Sequence, residues 1–197
     1  DPTTGILLPD VGEIENAIPQ DWSNVDNPFV TTNDSPTSTL FTRLDTTPDS
    51  LFYTNPRFVE HVDANAVQLM TTYLSTQALS PGNAVLDLCS SWTSHIDPTV
   101  AKTLSRVVGL GMNEQELQAN PVLTEHVVQD LNVDPRLSSY CHQEFDVVLC
   151  QLSIDYLTKP LEVMREVSRV LKPGGKVHVL FSNRLFLSKA VGLWTGA

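Results

Sequence analysis

From about residue 52 onward, apolar residues collect into short unbroken runs separated by longer stretches with helical spacing. The runs are Ala84 to Cys89, Arg106 to Leu110, His126 to Gln129, Val147 to Leu152 and Lys176 to Phe181. The middle ones show no apolar–polar alternation, the pattern of strands covered on both faces. Between Val59 and Leu79, Ala66, Met70, Tyr73 and Leu74 stand at i, i+4, i+7 and i+8, which predicts an amphipathic helix that Ser80-Pro81-Gly82 stops. A second helical stripe, Val163, Val167, Val170 and Leu171, lies in Leu161 to Leu171 and ends on Lys172-Pro173-Gly174-Gly175. Strand and helix signals in alternation predict an α/β fold: a Rossmann-like, mostly parallel sheet with right-handed crossovers and helices on both faces.

Residues 1–51 read differently. The first 50 hold six of the 13 prolines with many Thr, Asn, Asp and Ser, and no sustained period. Apolar anchors such as Ile6-Leu7-Leu8, Trp22, Phe29 and Leu40-Phe41 interrupt them. We expect an irregular N-terminal arm over 1–51 in front of a domain over 52–197. The anchors need a surface, either that domain or, as we expect, a protein partner contacted by residues 1–50.

Charge sharpens the division. The 197 residues carry 12 Lys plus Arg against 23 Asp plus Glu, a net −11, and the first 50 contribute nine acids against Arg43 alone. No Lys/Arg-rich surface is available to neutralise phosphates, so nucleic acid is not an expected partner. With 41% hydrophobic residues the chain can bury a core, and no run of 18 apolar residues predicts a transmembrane segment. Cys89, Cys141 and Cys150 lack the spacing of metal ligands and are expected as buried thiols, with no metal site.

Several phrases carry a resemblance. "NAVLDLCSSWTSH", "RVVGLGMNEQEL", "HVVQDLN" and "EFDVVLCQLSIDYLTKPLEVMREVSRVLKPGGKVHVLFSNR" together resemble strands one to five of a class I S-adenosylmethionine-dependent methyltransferase domain of the type 11 kind, over residues 81 to 184. The resemblance implies S-adenosylmethionine as cofactor, bound at the carboxyl ends of the strands. Carried onto this sequence, the implied cofactor-binding positions are Asp87, Cys89, Ser91, Asn113, Asp130 and Gln151. "SSWTSH", "GLGMN" and "FSNR" resemble more narrowly a group from plants, algae and cyanobacteria. That implies a plastid (chloroplast) setting, soluble or peripheral to a photosynthetic membrane complex.

The sequence departs from the family pattern in three places. Cys89, Ser91 and Thr93 replace loop glycines, with Trp92 between the last two, so bulk is expected where the ligand would lie and Thr93 should resist left-handed backbone. Gly111 stands where the family has the acid for the ribose hydroxyls, leaving Asn113 or Glu114 to reach back. After the fifth strand, "NRLFLSKAVGLWTGA" predicts a helix from Asn183 and no counterpart of the family's C-terminal strand hairpin. The expected function is therefore a methyltransferase-like pseudoenzyme acting as a structural or scaffold subunit, with an active methyltransferase on a small molecule or protein as the alternative. No catalytic residue is assigned. His95 lacks a placed carboxylate partner, His126 and His178 fall in strands, and Tyr156 follows the fourth strand.

Overall fold

The strands follow the apolar runs closely. In a computed structural model, which describes residues 40–195, five parallel strands form one sheet in the order β3-β2-β1-β4-β5. They are β1 (Ala84–Ser90), β2 (Arg106–Gly111), β3 (Glu125–Val128), β4 (Phe145–Gln151) and β5 (Leu171–Leu180). The helices are α1 (Asp49–Phe52), α2 (Ala64–Tyr73, running on as a π-helical turn over Leu74–Ala78), α3 (Pro98–Ala101), α4 (Glu114–Ala119), α5 (Pro160–Val170) and α6 (Gly192–Thr195). Most of the predicted arm, and its docking on a partner, lies outside the described residues. Among those residues no helix is long and apolar enough to cross a membrane.

Side-chain alternation divides the core into two layers. Leu86, Leu88, Val108, Leu110, Val148 and Cys150 face Val163, Val167 and Val170 of α5, three valines at most 2% exposed. Each buried valine stabilises by about 1.5–3 kcal/mol. On the opposite face Val85, Val107, Val147 and Leu149 meet Leu74, Ala78 and Leu79. The central strands are thus covered on both sides, as the unalternating runs require, while the edge strands leave Val128, Val177 and Val179 exposed. Asp63 starts α2 by accepting from the Ala66 amide at 2.9 Å. The Lys-Pro-Gly-Gly turn leaves α5 with Gly174 at φ +81° and loops out of the β4–β5 pairing between Phe145↔Leu171 and Val147↔Lys176.

The C-terminal helix begins later than the sequence predicts. No helix starts at Asn183: residues 183–191 are irregular, with a turn over 187–189 and a bridge at Val191, and only Gly192–Thr195 is helical. Tertiary partners win over helical propensity here. The Phe186 amide donates to the Tyr156 hydroxyl at 2.9 Å, the Asp45 amide donates to the Ser188 carbonyl at 2.8 Å, and Lys189 is drawn fully inside. Its Nζ reaches the Thr47 carbonyl at 2.7 Å and lies 3.2 and 3.3 Å from Asp45 and Asp49. Arg43 pairs with Asp49 at 2.8 Å and bridges Val191, so the chain segments before β1 and after β5 are clasped together.

Strand order reverses between β1 and β4, because β1 runs on to β2 at one side while β4 returns to its other side. That places a crevice at the carboxyl ends of β1 and β4.

Candidate functional site

A cavity of about 260 Å³ lies over these strand ends. Its floor comes from β1, the loop after it and the end of β4; its roof comes from residues 49–62 and 182–186. The floor begins with Asp87, which is 2% exposed. Its Oδ2 accepts from Ser90 Oγ at 2.7 Å and Ser94 Oγ at 2.6 Å, and its Oδ1 from Gln151 Nε2 at 3.2 Å. Burial pushes the Asp87 carboxyl above the ordinary range, against the three hydrogen bonds that favour the anion.

The same network fixes the loop that follows. Gln151 Nε2 also donates to the Ser94 carbonyl at 2.9 Å, and Asn120 Nδ2 donates to the Ser91 carbonyl at 2.8 Å and Ser94 Oγ at 2.9 Å. Serine hydroxyls and amides thus hold a loop whose predicted counterpart is glycine-rich. Backbone strain falls at Cys89 and His95, with φ of 56° and 50°, and not at Thr93. Cys89 is the residue skipped where β1 shifts register against β2, a bulge position that suits glycine. Its thiol meets that of Cys150, whose pKa is pushed well up by this contact and by burial.

The bulk predicted over the loop does not fill the site. Trp92 packs edge-on to Phe58 at 6.5 Å and directs Nε1 to the Val59 carbonyl at 3.4 Å, so its ring supports the wall and the cavity remains. Cys89, Ser91, Asp130 and Gln151, all predicted site positions, border the cavity with Asp87.

Asn113 does not border it. It caps α4, accepting from the Gln115 and Glu116 amides at 3.0 and 3.2 Å while donating to the Tyr53 carbonyl at 2.9 Å. Glu114 points away as well, to His126 and Gln118 at 2.9 and 2.7 Å. The carboxylate that reaches the cavity from this helix is Glu116, 7% exposed, which accepts from the Arg57 amide at 2.7 Å and from Ser91 Oγ at 2.6 Å. Sequence reasoning missed it, although Asn113-x-x-Glu116 has the spacing of a capping box. Here the glutamate ties the Arg57 segment to the loop after β1 instead of closing back on the cap.

Asp130 Oδ1 accepts from the Asn132 amide at 2.8 Å, and its second oxygen has no hydrogen bond among the described residues. Gln151 Oε1 is buried beside the cavity without a partner. His95 has the carboxylate neighbour that linear sequence could not supply: Nε2 lies 3.0 Å from Glu60 Oε2, and its Nδ1 is buried and unpartnered. The pair is made by residues 35 positions apart. His126 and His178 pair elsewhere, with Glu114 and Tyr73. Tyr156 lines the cavity with its hydroxyl pKa pushed up to about 12 by burial. Among the described residues no group of three or more His, Cys, Asp or Glu is placed to hold a metal ion.

Comparisons with known proteins bear on the fold that carries this site. Residues 88–179 match the model of the methyltransferase domain family. Over 104 residues the chain is 29% identical to the demethylmenaquinone methyltransferase of Staphylococcus saprophyticus, covering 50% of this chain and 44% of that protein. Among solved structures, the [4+2]-cyclase SpnF is similar with a TM-score of 0.50 and 20% identity, over 62% of this chain and 48% of that one. Phosphoethanolamine N-methyltransferase 1 of Haemonchus contortus, solved with phosphoethanolamine and S-adenosylhomocysteine, also has a TM-score of 0.50, at 17% identity over 65% of this chain and 29% of that one. The chain thus spans half or less of the length of each of these relatives. The described domain has a class I S-adenosylmethionine-dependent methyltransferase-like fold, with its cavity at the carboxyl ends of the strands.

Proposed function

We propose that the chain binds S-adenosylmethionine in this cavity and catalyses methyl transfer to a small-molecule or protein acceptor. The observation that carries the reading is that the cavity stays open over Cys89 to Thr93, with polar groups around it still in need of partners. Gln151 Oε1 is a buried acceptor without a donor, the second oxygen of Asp130 is open, and Glu116, already holding Arg57 and Ser91, brings a further carboxylate to the lining. These groups suit the amino, ribose and adenine donors of the cofactor, which brings an electrophilic methyl on a sulfonium. Asp87 acts by holding the loop through Ser90 and Ser94. Glu60 holds the His95 ring at the cavity through Nε2.

The competing reading is a scaffold subunit that has lost cofactor binding, in a plastid and beside a photosynthetic assembly. Cys89 in a strained left-handed position where glycine fits best is the feature that favours such a loss. Calorimetry with S-adenosylhomocysteine separates the two. We expect micromolar binding to the full chain and loss of most of it in Asp130→Ala. Silence at millimolar ligand would remove the enzyme reading in favour of the scaffold.

A further inference from the structure

The cavity changes character from one side of the sheet to the other. Toward β2 and β3 its lining offers carboxylates, Glu116 and Asp130. On the roof and toward β4 and β5 it offers rings and cations, Tyr53, Arg57, His61, Tyr156, Arg184 and Phe186, while the two roof carboxylates are already paired, Asp49 with Arg43 and Lys189 and Glu60 with His95. The rings are organised as one assembly. Phe186 meets Phe52 edge-on at 5.7 Å, His61 at 5.3 Å and Tyr156 at 6.0 Å, while Tyr53 meets Phe52 at 4.9 Å.

Arg57 is set within this assembly. Its guanidinium carbon lies 4.1 Å from the centre of the Phe52 ring and 5.6 Å from that of Phe186. Nη2 donates to the Phe52 carbonyl at 3.0 Å, but Nη1 is buried with no acceptor. Leaving a charged donor unpaired in a low-dielectric site is costly, and an anion brought by a ligand would offset the cost. A planar ring would find edge and face contacts on Tyr53, Tyr156 and Phe186. The Glu116 carboxylate is tied to the Arg57 backbone amide at 2.7 Å and to Ser91 Oγ at 2.6 Å, so the ligand's anion has to meet the guanidinium and not the backbone side of Arg57.

Resting on the methyl-transfer reading, we propose that the roof is the acceptor subsite and takes a planar aromatic molecule bearing a carboxylate or similarly anionic group, held by Arg57. The anion pairs with Nη1, and the ring stacks within the Tyr53–Tyr156–Phe186 wall. Arg57 serves as a specificity residue for the acceptor, not as a contact for the cofactor.

Calorimetry on the full chain saturated with S-adenosylhomocysteine tests this with 2-naphthoate and its uncharged counterpart 2-naphthalenemethanol as probes. We expect the naphthoate to bind roughly tenfold or more tightly than the alcohol, the worth of one charged hydrogen bond. Arg57→Gln should remove that preference, Arg57→Lys should keep part of it, and both should bind S-adenosylhomocysteine within about threefold of the parent chain. Equal binding of the two probes, or a preference that survives in Arg57→Gln, overturns the proposal. So does a variant that loses S-adenosylhomocysteine while keeping the probe preference, because Arg57 would then serve the cofactor. If the parent chain binds naphthoate selectively but never binds S-adenosylhomocysteine, the methyl-transfer reading falls and the aromatic-anion site stands. Should Arg57→Gln fail to fold, the Arg57→Lys comparison decides.

Discussion

Adding one methyl group at Gly111 tests whether this sheet can carry any side chain at the position where the sequence resemblance implies an acid. A Cβ at Gly111 would sit 2.1 Å from the Ser90 carbonyl oxygen and 3.1 Å from Leu117 Cδ2. Real Cβ atoms essentially never come within 3.0 Å of another heavy atom. Ser90 cannot retreat easily, since it is the direct partner of Gly111 in the β1–β2 register. Backbone freedom gives no compensating penalty for the glycine, because Gly111 is not among the residues with positive φ. Gly→Ala at a compatible backbone would stabilise by about 0.4–1 kcal/mol through the unfolded chain. Overpacking against fixed backbone costs about 1–3 kcal/mol, more when nothing can move. The clash wins, and Gly111→Ala should lose about 2 kcal/mol. With a urea m-value of roughly 1–3 kcal/mol/M, the midpoint falls by about 0.7–2 M. Gly111→Asp should lose at least as much and should not bind S-adenosylhomocysteine more tightly than the parent chain. A Gly111→Ala midpoint equal to or above the parent's would refute the steric argument, and with it the reason for looking to Glu116.

Two further outcomes follow from buried charge. Lys189→Met keeps the volume but removes the ammonium that Thr47, Asp45 and Asp49 surround, so urea unfolding should show a loss of about 3 kcal/mol, the low end for breaking a buried pair because Asp49 keeps Arg43 and Asn132; a loss under about 1 kcal/mol would contradict the clasp. Asp87 has a raised folded-state pKa, so its contribution is fully present below the unfolded value of about 3.9 and is lost as pH rises through the folded one. The stability of the parent chain relative to Asp87→Asn should therefore decline as pH is raised from about 4 toward 7, read by thermal melts; a difference that is flat or grows with pH would show that the carboxylate is not penalised by burial.

What the linear sequence determined was the sheet and its cover. Unalternating runs such as Val147 to Leu152 can only be satisfied with apolar cover on both faces, and the Val163–Val167–Val170 stripe needs a face to bury against, so order and spacing suffice to define them. Asp87, Cys89, Ser91, Asp130 and Gln151 come from the family resemblance and not from periodicity, and the structure puts them around the cavity at the strand ends. Pairings between distant residues were not legible in the sequence. Glu60 with His95, Glu116 with Arg57 and Ser91, and Lys189 with Asp45 and Asp49 join segments whose adjacency exists only after the crossovers have closed. Asn113 and the region after Asn183 illustrate the same limit, since a polar side chain or a helical pattern is free to serve several ends until the fold offers a buried carbonyl, hydroxyl or charge that one of them satisfies best. Local periodicity encodes which face is buried, whereas the direction of a side chain at a cavity depends on hydrogen-bond partners that only tertiary structure supplies.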